Sequence, residues 1–235
     1  MPSLNFIGGE KGGVGKSVAA RILAQYFIDK GQPFTGFDTD RSHNSFTRFY
    51  SDYASPVVVD TFEGLDTIAG EFETPTEDGQ TRSVIVDLAA QTAAPLSRWI
   101  RESDLIPVMA EMGITVNFWH LADAGKDTVD LLGRLVNTYG AGPNYIVVKN
   151  LGRGSDFSQL DESAALKKAV SLGAHVINLA QLHEASMRKI DRQNASFWAS
   201  INTKTGDDAL GLLERQRVKS WVKGVYASFD TLPLE

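Results

Sequence analysis

Glu10-Lys11-Gly12-Gly13-Val14-Gly15-Lys16-Ser17 is the stretch whose surroundings decide the fold. Upstream, Leu4, Phe6 and Ile7 make a short apolar run ending at Gly8-Gly9, which reads as a buried strand. Downstream, Ala19, Ile22, Leu23, Tyr26 and Phe27 recur at helical spacing until Gly31 stops the run. Glycines between a strand and a helix form the setting of a phosphate-binding loop. Without side chains they let several backbone N–H groups converge on one concavity, and the helix N-terminus behind them adds partial positive charge. Gly12, Gly13, Val14 and Gly15 supply that cradle, Lys16 can reach the outer phosphates, and the Ser17 hydroxyl suits a magnesium ion.

One departure narrows the reading. The general P-loop pattern has glycine five residues before its Gly-Lys pair, where this chain has Glu10, and Lys11 follows. Lys-Gly-Gly-x-Gly-Lys-Ser resembles the deviant Walker A motif of the ParA/MinD family of ATPases. That resemblance implies that Lys11 reaches across a nucleotide-sandwich homodimer to the partner's phosphates. From charge alone, a second cation favours a highly charged anion.

The chain has 235 residues, a size at which α/β folds commonly remain undivided, so residues 1–235 are expected as a single domain. No run of some 18 apolar residues announces a membrane-crossing helix. The first strand begins almost at once, which leaves no room for a signal peptide. The absence of cysteine excludes disulfides and thiolate-held metal, iron–sulfur clusters included. A cytoplasmic, bacterial protein is expected, nucleoid-associated if DNA is its matrix. Residues 1–117 carry 9 Lys/Arg against 16 Asp/Glu, and residues 118–235 carry 14 against 13. The net charge of −6 argues against a protein coated in positive charge but leaves room for a local basic patch.

Further along, Pro33–Phe37 reads as a strand ending in Asp38-Thr39-Asp40. This pair resembles the family's switch I. The resemblance places Asp38 near the magnesium shell and Asp40 at the attacking water. His43 reads as a surface histidine. Val57–Val59 suggests a short strand, Thr61–Ala69 a helix, and Glu71–Thr81 an exposed loop. Ser83–Asp87 is an apolar strand resembling a Walker B segment, with Asp87 holding magnesium through water. It continues as Leu88-Ala89-Ala90-Gln91-Thr92, where the family usually has Pro and Gly. Hydrolysis is therefore expected to be slow and stimulated by a partner protein, with Gln91 a candidate to orient water.

Asp104–Met109 resembles the next family strand, and Asn117–Tyr139 shows helical apolar spacing. Asn144–Val148 reads as a buried strand closing at Lys149-Asn150. The resemblance implies that Asn150 recognises adenine; the loop Leu151-Gly152-Arg153-Gly154-Ser155 that follows is a candidate to fold over the nucleotide, with Arg153 as its contact. Ala174–Leu179 is the last strand expected. The final helix, about 207–229, carries a stripe of Val218, Trp221, Val222, Val225 and Phe229 and is expected to pack on the sheet. A membrane-lying role for it is less favoured, because Pro233 and the acidic Glu235 follow it.

Alternating strands and helices imply a doubly wound, mostly parallel sheet flanked by helices, of the P-loop NTPase type. The resemblance implies ATP and Mg2+ as ligands, Lys11, Lys16 and Asp40 as catalytic groups, and an ATP-dependent homodimer switch. Arg188, Lys189, Arg192, Arg215, Arg217, Lys219 and Lys223 would touch non-specific DNA, as in plasmid partition. Alternatives are membrane cycling of the MinD kind, a low-turnover accessory of conjugal transfer or secretion, and a metabolic ligase.

Overall fold

The computed structural model describes residues 1–8 and 10–234. Gly9, read as the end of the first strand, and Glu235 lie outside them. In chain order the elements are β1 (Ser3–Gly8), α1 (Lys16–Lys30), β2 (Phe34–Asp38), β3 (Ala54–Pro56), α2 (Phe62–Gly70), β4 (Ser83–Asp87), α3 (Ala93–Glu102) and α4 (Leu105–Glu111). There follow β5 (Thr115–Ala122), α5 (Lys126–Tyr139), β6 (Asn144–Asn150), a 3-10 turn (Leu151–Arg153), α6 (Ser158–Asp161) and α7 (Ala164–Ser171). The chain closes with β7 (His175–Leu179), α8 (Glu184–Gln193), α9 (Phe197–Asn202) and α10 (Leu212–Phe229). The seven strands form one parallel sheet in the order β3-β2-β4-β1-β5-β6-β7.

Both faces of the sheet are covered, as parallel sheets require. Ile7, Ile85, Trp119 and Ile146 point to a core shared with α1, α8, α9 and α10. Leu4, Phe6, Val84, Val86 and Phe118 point to a second core under α2 to α7. At the amino ends of the central strands a buried polar chain fixes the register. Asn117 Nδ2 donates to Asn5 Oδ1 at 2.9 Å, Trp119 Nε1 donates to the same oxygen at 3.1 Å, and Asn5 Nδ2 donates to Ser3 Oγ at 2.9 Å. A one-residue slip would leave these groups unpartnered in an apolar interior.

Three sequence expectations are corrected. Asp104–Met109 is not a strand: Asp104 sits in the left-handed region at φ 47° and leads into α4, whose Pro107 lies in the first turn, where its missing N–H is harmless. The strand comes later, as β5, whose residues from Asn117 to Ala122 overlap the stretch with helical apolar spacing. Val116 and Phe118 face one core while Trp119 and Leu121 face the other, so no polar alternation marks it. The third, Val57–Val59, lies just past β3, although Val57 N–H still donates to Asp38 O at 2.9 Å. The stripe Val218, Trp221, Val222, Val225 and Phe229 of α10 is buried in the first core. Among the described residues no helix is long and apolar enough to cross a membrane.

Candidate nucleotide site

The residues singled out for nucleotide and metal chemistry lie at the carboxyl edge of the sheet, on loops leaving it or in the first turn of α1. β1 is flanked by β4 and β5, which come later in the chain, so the connections diverge there and leave the crevice where ligands bind such sheets. The loop after β1 runs directly into α1, whose N-cap Gly15 has φ 103°. A Cβ at that position would be strained and would also collide with the Asn150 amide.

Lys16 is buried, and its Nζ donates to the Lys11 carbonyl at 2.8 Å, arching over its own loop. Burial lowers its pKa, opposed by the charges of Asp87 and Asp40. Lys11 Nζ pairs with Asp123 at 2.9 Å and Asp127 at 3.6 Å, at the start of α5. Those contacts raise its pKa, the hydrogen bond to Asp123 contributing most. Gly125 makes room for this pair: a Cβ there would come within 2.8 Å of the lysine nitrogen.

Asp38 and Asp87 are register partners on adjacent strands, β2 and β4. Asp38 is fully used: its Oδ2 accepts from Phe46 N–H at 2.8 Å and Thr47 N–H at 3.1 Å, and its Oδ1 from Asp40 N–H at 3.0 Å. It thereby braces the loop from Asp40 to Thr47. Asp87 is the opposite case. Neither carboxylate oxygen has a hydrogen-bond partner, and the Ser17 hydroxyl stands close without forming one at standard distance. Burial pushes the Asp87 pKa up to about 7; Asp38 and Asp40 add to the rise, while Ser17 and Lys16 oppose it. An orphaned, buried carboxylate beside a hydroxyl at the mouth of a phosphate loop fits a hydrated divalent cation. Among the described residues no group of three or more His, Asp or Glu side chains could hold a metal unaided. Magnesium asks for less, since it keeps waters and takes one or two protein oxygens plus phosphate.

Asp40 turns back on its own loop. Its Oδ1 accepts from Ser42 N–H at 2.9 Å and His43 N–H at 3.2 Å, and its Oδ2 lies 3.1 Å from His43 Nδ1. Burial raises its pKa, but those hydrogen bonds and His43 outweigh it, so the group stays ionised more readily than usual. His43, read as a plain surface residue, is exposed yet engaged with Asp40. Gln91 is exposed and sits in the left-handed region at φ 69°.

Asn150, at the end of β6, is held by both ends of its amide: Nδ2 donates to Val14 O at 2.8 Å and Oδ1 accepts from Gly152 N–H at 3.0 Å. Beside it, between the ends of β6 and β7, opens a cavity of about 160 Å³ lined by Val18, Arg153, Gln181, Leu182, Met187 and Trp221. A second, larger cavity of about 310 Å³ lies behind the loop between α3, β5 and α5, with Leu88, Phe118 and Leu135 in its walls and Glu10 and Arg134 at its rim.

Sequence reasoning missed two residues here. The Thr39 hydroxyl donates to Asp87 O at 3.1 Å and accepts from Ala89 N–H at 2.7 Å, tying the loops after β2 and β4 together. Asp123 receives Lys11. No local motif marks either one; only its place between two aspartates hinted at Thr39.

The basic residues divide. Arg188 pairs with Glu184 at 3.1 Å, Lys189 with Glu214 at 2.8 Å and Arg192 with Asp208 at 3.2 Å, while an Arg215 nitrogen donates to Leu210 O at 2.5 Å. Arg217, Lys219 and Lys223 lie exposed along α10.

No protein-family model matches the chain. Two Escherichia coli proteins, each named Protein TraL, are similar to it from end to end. Both are 25% identical, over 245 and 243 residues, with 98% of this chain and 98% of theirs covered in each case. Among solved structures, the ParA family ATPase from Chlorobium tepidum TLS superposes with a TM-score of 0.52 at 13% identity, over 94% of this chain and 98% of that one. A nucleotide-binding protein in complex with ADP from Archaeoglobus fulgidus gives a TM-score of 0.48 at 14% identity, over 82% and 86%. The chain shares its fold with the Chlorobium tepidum protein.

Proposed function

We propose that this protein is a MgATP-binding ATPase that turns over slowly and works as a nucleotide-controlled dimer switch. The single observation that carries the reading is the convergence at the mouth of one strand–loop–helix unit of Lys16, Ser17 and the orphaned Asp87. Nothing in that arrangement supplies covalent chemistry. It supplies position and charge, which is what phosphoryl transfer to water requires. Bound magnesium would neutralise charge on the outer phosphates, with Ser17 and Asp87 as its protein-side anchors and Asp38 holding the neighbouring loop. Lys16, released from the Lys11 carbonyl, would meet the phosphates. Asp40, held ionised by its own loop, would orient the attacking water. Lys11 would leave Asp123 and act on the nucleotide of a second copy.

The matrix on which such a switch would act is proposed as DNA, touched without base reading. Ion pairs occupy Arg188, Lys189 and Arg192, so the exposed Arg217, Lys219 and Lys223 of α10 carry most of that reading. Binding through so few phosphate contacts should fall with salt by a correspondingly shallow slope. A second reading is an accessory ATPase of conjugal transfer. It is favoured by the end-to-end likeness to the TraL proteins and by a switch II without the family's Pro and Gly.

The test has three parts. Fluorescent ATP should bind the wild type and not Lys16→Ala; equal binding would sink the nucleotide reading. Sedimentation with MgATP should give a dimer for the wild type and a monomer for Lys11→Ala, with nucleotide still bound. Asp40→Ala should bind random duplex DNA with MgATP and not with MgADP; no binding in either state would move the weight to a protein partner.

A further inference from the structure

We infer that the cavity between α3, β5 and α5 is a binding site for a free α-amino acid with a large apolar side chain, its ammonium held by Glu10 and its carboxylate by Arg134. The space has a cause in the sequence. On leaving β4 the chain runs Leu88-Ala89-Ala90-Gln91-Thr92-Ala93-Ala94, so the start of α3 lines the gap with methyl groups that do not reach α5. Opposite them, Leu131, Arg134, Leu135, Thr138 and Tyr139 recur at helical spacing and present one face of α5 to the gap. The two helices are joined away from the phosphate loop, where Ser97 Oγ and Tyr139 OH share a hydrogen bond of 2.8 Å. The Tyr139 ring stacks on Phe118 of β5 with 4.6 Å between centroids, which stiffens that end.

The polar groups of the wall are engaged within the protein. Besides the Ser97–Tyr139 pair, the Thr92 hydroxyl donates to Ala89 O at 2.9 Å, the Thr138 hydroxyl to Arg134 O at 2.8 Å, and His120 Nε2–H to Thr128 O at 3.0 Å. Burial keeps the His120 ring neutral. Such a wall accepts an aliphatic or aromatic body and penalises an ionic one. Among the described residues, charge on this cavity is confined to the rim. There Arg134 Nη1 and Glu10 Oε2 lie 3.9 Å apart, at the outer limit of an ion pair, and both side chains are exposed. Such a pair contributes little, so a ligand that parts it forfeits little. The two charges decide the ligand class. A carboxylate alone would meet Arg134 but face Glu10, and an amine alone would meet Glu10 but face Arg134. An amino acid carries both groups on one carbon and satisfies both. At about 310 Å³ the cavity stands at the lower end of small-ligand sites, which suits one ring or one branched chain.

The experiment is isothermal calorimetry on the full chain, without nucleotide, with L-phenylalanine as the probe. It should bind one to one. Glycine, which has the head and no body, should give no measurable binding. Phenylacetate and phenethylamine each lack one charge and should bind at least about fivefold more weakly than L-phenylalanine. Arg134→Gln should weaken L-phenylalanine and not phenethylamine, and Glu10→Gln should weaken L-phenylalanine and not phenylacetate. Leu135→Phe and Ala93→Phe fill the cavity from opposite walls, and each should abolish binding. Ala93 is exposed, so its variant should keep the wild-type melting temperature and separate a filled site from a lost fold. The inference is overturned if L-phenylalanine does not bind, or if it binds the folded Ala93→Phe or the Arg134→Gln variant as tightly as the wild type. It is overturned equally if phenylacetate or phenethylamine matches L-phenylalanine on the wild type. None of these results touches the proposed ATPase, because no nucleotide is present.

Discussion

His120 ties stability to pH at the foot of the site. It lies on β5, buried, with Nε2–H donating to the Thr128 carbonyl at 3.0 Å in the first turn of α5. Thr128 in turn donates through its hydroxyl to Asp123 at 2.8 Å, the carboxylate that holds Lys11. Burial forces the His120 pKa down to about 4 from an ordinary 6.5, against the opposing pull of the Thr128 carbonyl and Asp123. The folded chain thus keeps the ring neutral where the unfolded chain would protonate it. Its contribution is complete above pH 6.5 and is lost as pH falls from there toward 4. At 1.36 kcal/mol per unit, the loss is about 2 kcal/mol by pH 5 and about 3 kcal/mol at the end of the window. Asp87 works the other way, since its raised pKa makes the fold gain stability as pH falls below about 7. The quantity to read is therefore the difference between the wild type and His120→Gln, which keeps a donor near the Nε2 position and cannot titrate. Urea midpoints at pH 7.5, 6 and 5 should show the variant losing about 1 M less than the wild type across that range, for an m-value of about 2–3 kcal/mol/M. Parallel pH dependences in the two proteins would refute the reasoning.

Two further substitutions probe parts of the same frame. Arg21 on α1 is buried with only NH1 satisfied, by Asp191 at 2.9 Å, and its guanidinium stacks 3.5 Å from the centre of Phe49. Because Asp191 is partly exposed, Arg21→Met strands no buried charge; thermal melts should show stability unchanged or raised, and a loss of more than about 2 kcal/mol would show that the stacking outweighs the desolvation. Gly15→Ala meets both a left-handed backbone and the Asn150 amide; it should cost about 1–3 kcal/mol in denaturant unfolding and abolish nucleotide binding, and wild-type affinity would contradict the close contact.

The sequence made legible what depends on local chemistry. The strand–glycine loop–helix unit, and the strands ending at Asp38, Asp87 and Asn150, all stand where apolar runs stop at a polar residue. The region from Asp104 to Ala122 was misread because β5 is buried on both sides. Its aromatics then fit a helical period as well as an extended one, and its true partners, β1 and β6, are remote in sequence. Asp123 carries no motif at all, and Thr39 only its place between two aspartates. Their significance comes from the strand order, which sets β2 beside β4 and the end of β5 beside the loop leaving β1. The ion pairs that occupy Arg188, Lys189 and Arg192 escaped a count of charges for the same reason: two of the three acids come from the connection to α10 and from α10 itself.

The Thr39 hydroxyl has a consequence for how the site breathes. It closes a ring of hydrogen bonds from the end of β2 to Asp87 O and Ala89 N–H, reinforced by Thr39 N–H donating to Asp87 O at 3.1 Å. The two loops therefore cannot open one at a time without stranding a buried donor or acceptor. They form one cooperative unit, and the amide hydrogens of Thr39 and Ala89 should exchange with solvent deuterium at a common opening free energy. Whatever steadies one loop then slows exchange in both.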